Sequence, residues 1–328
     1  MAIAPNSQMP QLSHTKTPVN APEPEPSNFT ARMGALVESR DGRVAFITAA
    51  AYLTLFNVTP RLPWSGIGII VVMTLLSLLL VLLFTVTTAR AMKSRRASDV
   101  NLLLSALLAI PFVAIQLFLV RFPEWDWRTI LQSPIIMAYG SLARVPGMIG
   151  LWLMWFAASL GVLIARLVKE MKILLPMAVV LALVDLYVVF GGGLVTQAQS
   201  GKVPMAQAAI RALTVALPTA SPTTGAAPMQ LQIGFADFLF IATFFTCFAR
   251  FGVRSRYTFY VLCVLLTGYM LFVAQTGISM PALVPVAVVV IGMNVRHFRY
   301  SRDEWFAMLY AGLIVGAVLG FMVWRSRH

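Results

Sequence analysis

The chain has 328 residues, 59% of them apolar and only 11% charged, with a formal net charge of +13 at pH 7. So apolar a composition excludes an ordinary soluble domain, and the clustering of charge between apolar runs describes an all-α, multi-pass membrane protein. It excludes a nucleic-acid binder too, because such a protein spreads its basic residues over a folded surface and here they gather at the ends of apolar stretches.

Residues 1–34 are rich in Pro, Ser, Asn and Gln, include the run Pro22-Glu23-Pro24-Glu25-Pro26, and hold no apolar stretch able to act as a signal-peptide core. They read as a disordered tail. Apolar spans follow at about 44–59, 66–89, 101–120, 147–168, 173–193, 232–249, 257–276, 280–294 and 304–324, most of them near the roughly 20 residues that cross a bilayer core, which predicts about nine transmembrane helices. The chain then divides into a scaffold at 35–171, a region at 172–294 holding two intramembrane aspartates, and a last helix within 295–328.

Basic residues set the expected orientation. With the N-terminus cytoplasmic, 17 of the 25 Lys and Arg side chains fall on the inside, in dense clusters such as Arg90, Lys93, Arg95 and Arg96 that alternate with sparse loops. Nine spans then put the C-terminus outside the cytoplasm. Two long external connections result. The one at 121–146 carries Trp125 and Trp127, as an interfacial aromatic belt does, and the one at 194–231 is Pro-, Thr-, Ala- and Gln-rich, a polar and mobile link. Cys247 and Cys263 lie in apolar spans and read as packing residues, and His14, His297 and His328 share no helix face, so no metal or cofactor is expected. Nothing in the sequence sets an oligomeric state.

Asp185 and Asp237 are the only acidic residues well inside the apolar spans. A lone Asp at a helix centre costs at least about 2.5–3.5 kcal/mol in hydrocarbon, so each marks a site. Asp185 precedes the outer end of its span by about eight residues, roughly 12 Å, and Asp237 follows the start of its own by about five, roughly 8 Å, so the two carboxyls reach a common depth. Their helices are antiparallel and joined by one loop, which predicts side-by-side packing. Two carboxyl groups in contact in a low dielectric cannot both ionise, and the pair shares one proton. Aspartic hydrolysis needs that state: one carboxylate accepts a proton from water while the other carboxyl donates one to the scissile carbonyl oxygen. Taken alone, intramembrane carboxylates point first to a proton- or ion-coupled transporter, and that reading stands as the alternative.

The neighbouring residues point elsewhere. Around the first aspartate the chain reads Val184-Asp185-Leu186-Tyr187, around the second Gly234-Phe235-Ala236-Asp237-Phe238, and further on Pro281-Ala282-Leu283. In this order the three segments resemble the presenilin and signal peptide peptidase family of intramembrane aspartyl proteases, whose marks are a Tyr/Leu-Asp helix, a Gly-x-Gly-Asp helix and a Pro-Ala-Leu helix. The resemblance covers about 172–294. It departs at Val184, at Ala236 in place of the second glycine, and at Val284, which interrupts a Pro-Ala-Leu-Pro run.

The resemblance implies an aspartic-type endopeptidase with Asp185 and Asp237 as the catalytic pair, and with Gly234, Ala236, Pro281, Ala282 and Leu283 shaping the substrate site. Water and one shared proton suffice for it, without a cofactor. Its partners are the lipid bilayer and transmembrane-helix substrates. With the 194–231 loop outside, as in the signal peptide peptidase branch, these include signal-peptide remnants.

Overall fold

The computed structural model describes residues 39–59, 67–92, 95–121, 145–190, 204–218, 231–253, 255–276, 280–298 and 300–327. The expected tail, the Trp125 and Trp127 connection, the Gly191-Gly192-Gly193 helix end and the part of the long polar loop at 219–230 lie outside these residues. The described chain is mostly helical: α1 (Arg40–Val58), α2 (Ile67–Ala91), α3 (Arg95–Arg121), α4 (Met148–Leu167), α5 (Leu174–Phe190), α6 (Pro204–Ala212), α7 (Phe235–Arg250), α8 (Arg256–Thr276), α9 (Leu283–Asn294) and α10 (Arg302–Arg327).

Five of these helices are long and apolar enough to cross a membrane, in α2, α3, α4, α8 and α5 together with the 3-10 turn Met171–Ile173 before it. Of the other expected spans, α7 and α9 are shorter among the described residues, and α1 opens on the charged Arg40, Asp41 and Arg43. α7 has 16 residues because Gln232–Gly234 ahead of it is a strand, and α9 has 12 because it starts only after Pro281 and Ala282.

α4 and α7 form the centre. α7 turns a Phe-rich face inward, with Phe238, Phe244, Phe245 and Phe248 almost fully buried. It lies close against α4 because Gly161 has no side chain: a Cβ there would stand 2.6 Å from Leu239 O and 2.8 Å from Ala242 Cβ. Thr243 Oγ1 donates across the same contact to Gly161 O at 3.2 Å. Small residues at such a crossing let backbones approach, the usual basis of helix association where water supplies no driving force. Gly161→Val is therefore expected to overpack the interface and destabilise the protein by about 1–3 kcal/mol, read as a lower unfolding midpoint of the detergent-solubilised protein. An unchanged midpoint would show that the contact is not a constraint.

α5 is peripheral by comparison. Only Leu174 and Ala178 of its side chains are buried. It packs along α9 and α10, and Tyr300 Oη donates to the Lys172 carbonyl at its base. The expected side-by-side packing of the two aspartate helices is thus corrected: α7 packs most closely on α4, through Leu239, Ala242 and Thr243 at Gly161, and α9 lies against both α5 and α7.

The polar connection between α5 and α7 contains ordered structure. α6 opens on Pro204, whose missing N–H costs nothing in a first helical turn, and packs against α3. A strand β1 (Thr214–Ala216) follows and pairs antiparallel with β2 (Gln232–Gly234), in the register Thr214↔Gly234, Val215↔Ile233 and Ala216↔Gln232. Val215 and Ile233 point inward and their neighbours do not, the period of two expected of a half-buried strand. Tyr52 Oη of α1 donates to Ala216 O at 3.0 Å and Ser77 Oγ of α2 to Pro218 O at 2.8 Å, which anchors the sheet to the bundle.

Candidate active site

Asp237 is placed by the end of the sheet. β2 runs directly into α7, with extended Gly234 as the N-cap, and Phe235 N donates to Leu213 O at 2.9 Å, so strand pairing sets where the helix begins. Asp237 is the third residue of α7. Its Oδ2 reaches back to accept from Gly234 N at 3.1 Å, satisfying one of the donors that a helix start leaves without an intrahelical partner. Space is tight at Gly234: its backbone is extended and open to any residue, but a Cβ would stand 3.2 Å from Asp237 Oδ2. Gly234→Ala is expected to displace that carboxyl by a few tenths of an ångström.

Asp185 is placed by α9. Ala282, the N-cap of α9, provides no side-chain acceptor for the first turn. The amide of Leu283 donates to Asp185 Oδ2 at 2.8 Å instead. A carboxylate at a helix N-terminus meets both unpaired amides and the positive end of the helix dipole. Pro281 and Leu283 are buried and Ala282 is partly so. The Pro-Ala-Leu segment thus turns the chain into α9 beside the first aspartate.

The two aspartates lie near enough to interact electrostatically. Each aspartate is partly buried and each is held through Oδ2 by one backbone amide, on a different helix start. Four of the seven residues singled out from the sequence, Asp185, Leu283, Gly234 and Asp237, are joined by these two hydrogen bonds. Ala236, the second residue of α7, is exposed, and the close helix approach falls at Gly161. Bulk at position 236 therefore meets open space in the isolated protein.

Sequence reasoning missed Tyr269. It lies on α8, within electrostatic reach of both Asp185 and Asp237, and its hydroxyl is shielded from solvent without a hydrogen-bond partner. It stands seven residues before the end of α8, or about 10 Å along the axis, and so at a depth like that of the aspartates. That shared depth was the signal available in the sequence, since a phenol within an apolar span carries a polar group that needs a partner. Among the described residues no three His, Cys, Asp or Glu side chains gather as a metal site would require. Cys247 and Cys263 are free and buried.

In comparisons with known proteins, no family model, no curated protein and no solved structure matches this chain.

Proposed function

We propose that the protein is an intramembrane aspartyl endopeptidase of the presenilin and signal peptide peptidase type, with Asp185 and Asp237 as its catalytic pair. The observation that carries the reading is the hydrogen bond from Leu283 N to Asp185 Oδ2, because it joins the third motif to the first, while Asp185 also interacts with the second motif's aspartate. Three short segments, far apart in sequence, converge at one end of the helices in the way a shared site requires.

In this reading, water lies between the carboxyls. The ionised carboxylate accepts a proton from the water as its oxygen attacks the substrate carbonyl, and the protonated partner donates to the carbonyl oxygen. On collapse of the tetrahedral diol, the carboxyl that took the water proton donates to the leaving amine while the other carboxylate accepts a proton from a diol hydroxyl as the C–N bond breaks, so the pair again holds one proton. The amides of Gly234 and Leu283 hold the Oδ2 atoms, so the carboxyls are positioned before substrate arrives. Tyr269, a donor with no partner among the described residues, supplies a hydrogen bond to the polar atoms that enter between the aspartates.

A substrate helix has to unwind before its amide can be attacked. Among the described residues the sheet has two strands, and the outer edge of β2 leads within three residues to Asp237. An extended substrate added along that edge would make main-chain hydrogen bonds and enter the site in a fixed register. The proposal includes about nine spans, a cytoplasmic N-terminus, an extracytoplasmic C-terminus, and substrates that are transmembrane helices or signal-peptide remnants.

Ala236 tests whether substrate passes here. Because its side chain is exposed, Ala236→Leu is expected to leave the unfolding midpoint within about 0.5 kcal/mol of the parent while lowering the rate of cleavage, and Ala236→Gly to keep or raise it. Equal rates for Gly, Ala and Leu variants in a purified assay would remove position 236 from the substrate path.

A further inference from the structure

The ends of α2, α4 and α7 remote from Asp237 line a half-open cavity of about 590 Å³ that the proposed chemistry does not use. It lies some 13 residues along α7 from Asp237, about 20 Å. Arg90, Arg166 and Arg250 line it, with Asp41 as the acidic counterpart. A second cavity of about 480 Å³ abuts it, shares Arg90 and Asp41, and adds Arg40 and Arg256.

Part of this charge is already used by the fold. Arg250 Nη1 donates to the carbonyls of Ala165 and Val168, each at 3.0 Å, and so closes the C-terminal end of α4. Arg166 pairs with Asp99 at 2.9 Å. Arg90 differs: one terminal nitrogen donates to Ser255 Oγ at 2.6 Å, while its Nε is buried and has no partner among the described residues. Thr246, on the wall of the first cavity, has a hydroxyl in the same condition. A guanidinium between two cavities, with an unused donor and other arginines around it, exceeds what the helix ends require.

We propose that this paired cavity is a binding site for a phosphate-bearing anion, with Arg90 as its central ligand. Guanidinium groups suit phosphate because their planar donors match two of its oxygens. Ala89, Met92 and Val162 supply apolar wall beside the arginines, as a lipid headgroup with its attached chains would need. Basic pockets between membrane helices are recognised lipid-headgroup sites. The inference is independent of the protease reading and holds equally for a transporter.

The full-length protein, reconstituted in nanodiscs of phosphatidylcholine with phosphatidylglycerol, would be released into a native mass spectrometer. One phosphatidylglycerol retained per chain is expected, with retention reduced about fivefold by Arg90→Gln and unchanged by Arg302→Gln, an exposed arginine outside both cavities. Inorganic phosphate titrated into phosphatidylcholine-only nanodiscs identifies the other source. Phosphate binding weakened by Arg90→Gln, with no lipid retained, supports the site with a soluble ligand. If Arg90→Gln does not fold, Arg256→Gln at an exposed position on the second cavity carries the same expectation. Binding of neither probe, insensitivity to the cavity substitutions, or equal loss with Arg302→Gln would overturn the proposal.

Discussion

Asp185→Asn and Asp237→Asn are each expected to lower cleavage of a single-span model peptide by at least about 10³-fold, and the double variant is expected to be no worse than either single one. General acid and general base act as a unit, so losing one removes nearly all that the pair contributes. Asn is the informative replacement because its side-chain oxygen still accepts from the amide that each Oδ2 now binds, Leu283 N for Asp185 and Gly234 N for Asp237. Folding should therefore survive, with unfolding midpoints near that of the parent. Cleavage by either purified variant at more than about a tenth of the parent rate would reject the pair as the catalytic unit, since the chemistry has no place for a partly useful carboxyl.

Tyr269→Phe is the second large effect. Loss of one preorganised donor from a water-poor site costs roughly 10²-fold in kcat, and the expected loss here is of that order with KM little changed. The stability readout separates this role from a structural one. The Tyr269 hydroxyl is buried without a partner, and removing an unsatisfied polar group costs the fold nothing and can stabilise it. An unfolding midpoint equal to or above the parent's, together with a fall in kcat, is the expected pairing. A lowered midpoint with unchanged kcat would assign Tyr269 to packing instead.

Much of the candidate site was legible because it depends on local chemistry. Charge within an apolar helix is costly enough that Asp185 and Asp237 stood out unaided, and Pro281-Ala282-Leu283 stood out only through its likeness to a family motif. The sequence alone could not show that the Leu283 amide has its acceptor in Asp185, 98 positions away, because that bond depends on how α5 and α9 pack. The packing of the aspartate helices was misjudged for a related reason. Adjacency in sequence favours contact, but the face of α7 that carries Leu239, Ala242 and Thr243 fits closely on α4 at Gly161, and that close approach decides the neighbour.

The sheet was hidden by its size. Two three-residue strands carry too little alternation to stand out from a polar connection, and their pairing joins segments 18 or so positions apart across a composition that reads as loop. Yet the sheet sets where α7 begins, and therefore where Asp237 lies. Tyr269 was hidden differently, as a single phenol on an apolar helix whose importance appears only when three separate helices are aligned by depth.

We propose that the two aspartates hydrolyse peptide bonds and do not relay ions, and one experiment separates the two. It uses proteoliposomes of the purified full-length protein containing a single-span model helix, with products identified by mass spectrometry and proton flux followed by a vesicle-trapped pH dye. The expected result is cleavage of the peptide within or near its membrane segment by the parent protein, none by Asp185→Asn or Asp237→Asn, and no proton flux beyond that of empty vesicles. An intact peptide, together with proton flux abolished by the same two substitutions, would contradict the account and assign the aspartates to a coupled transporter.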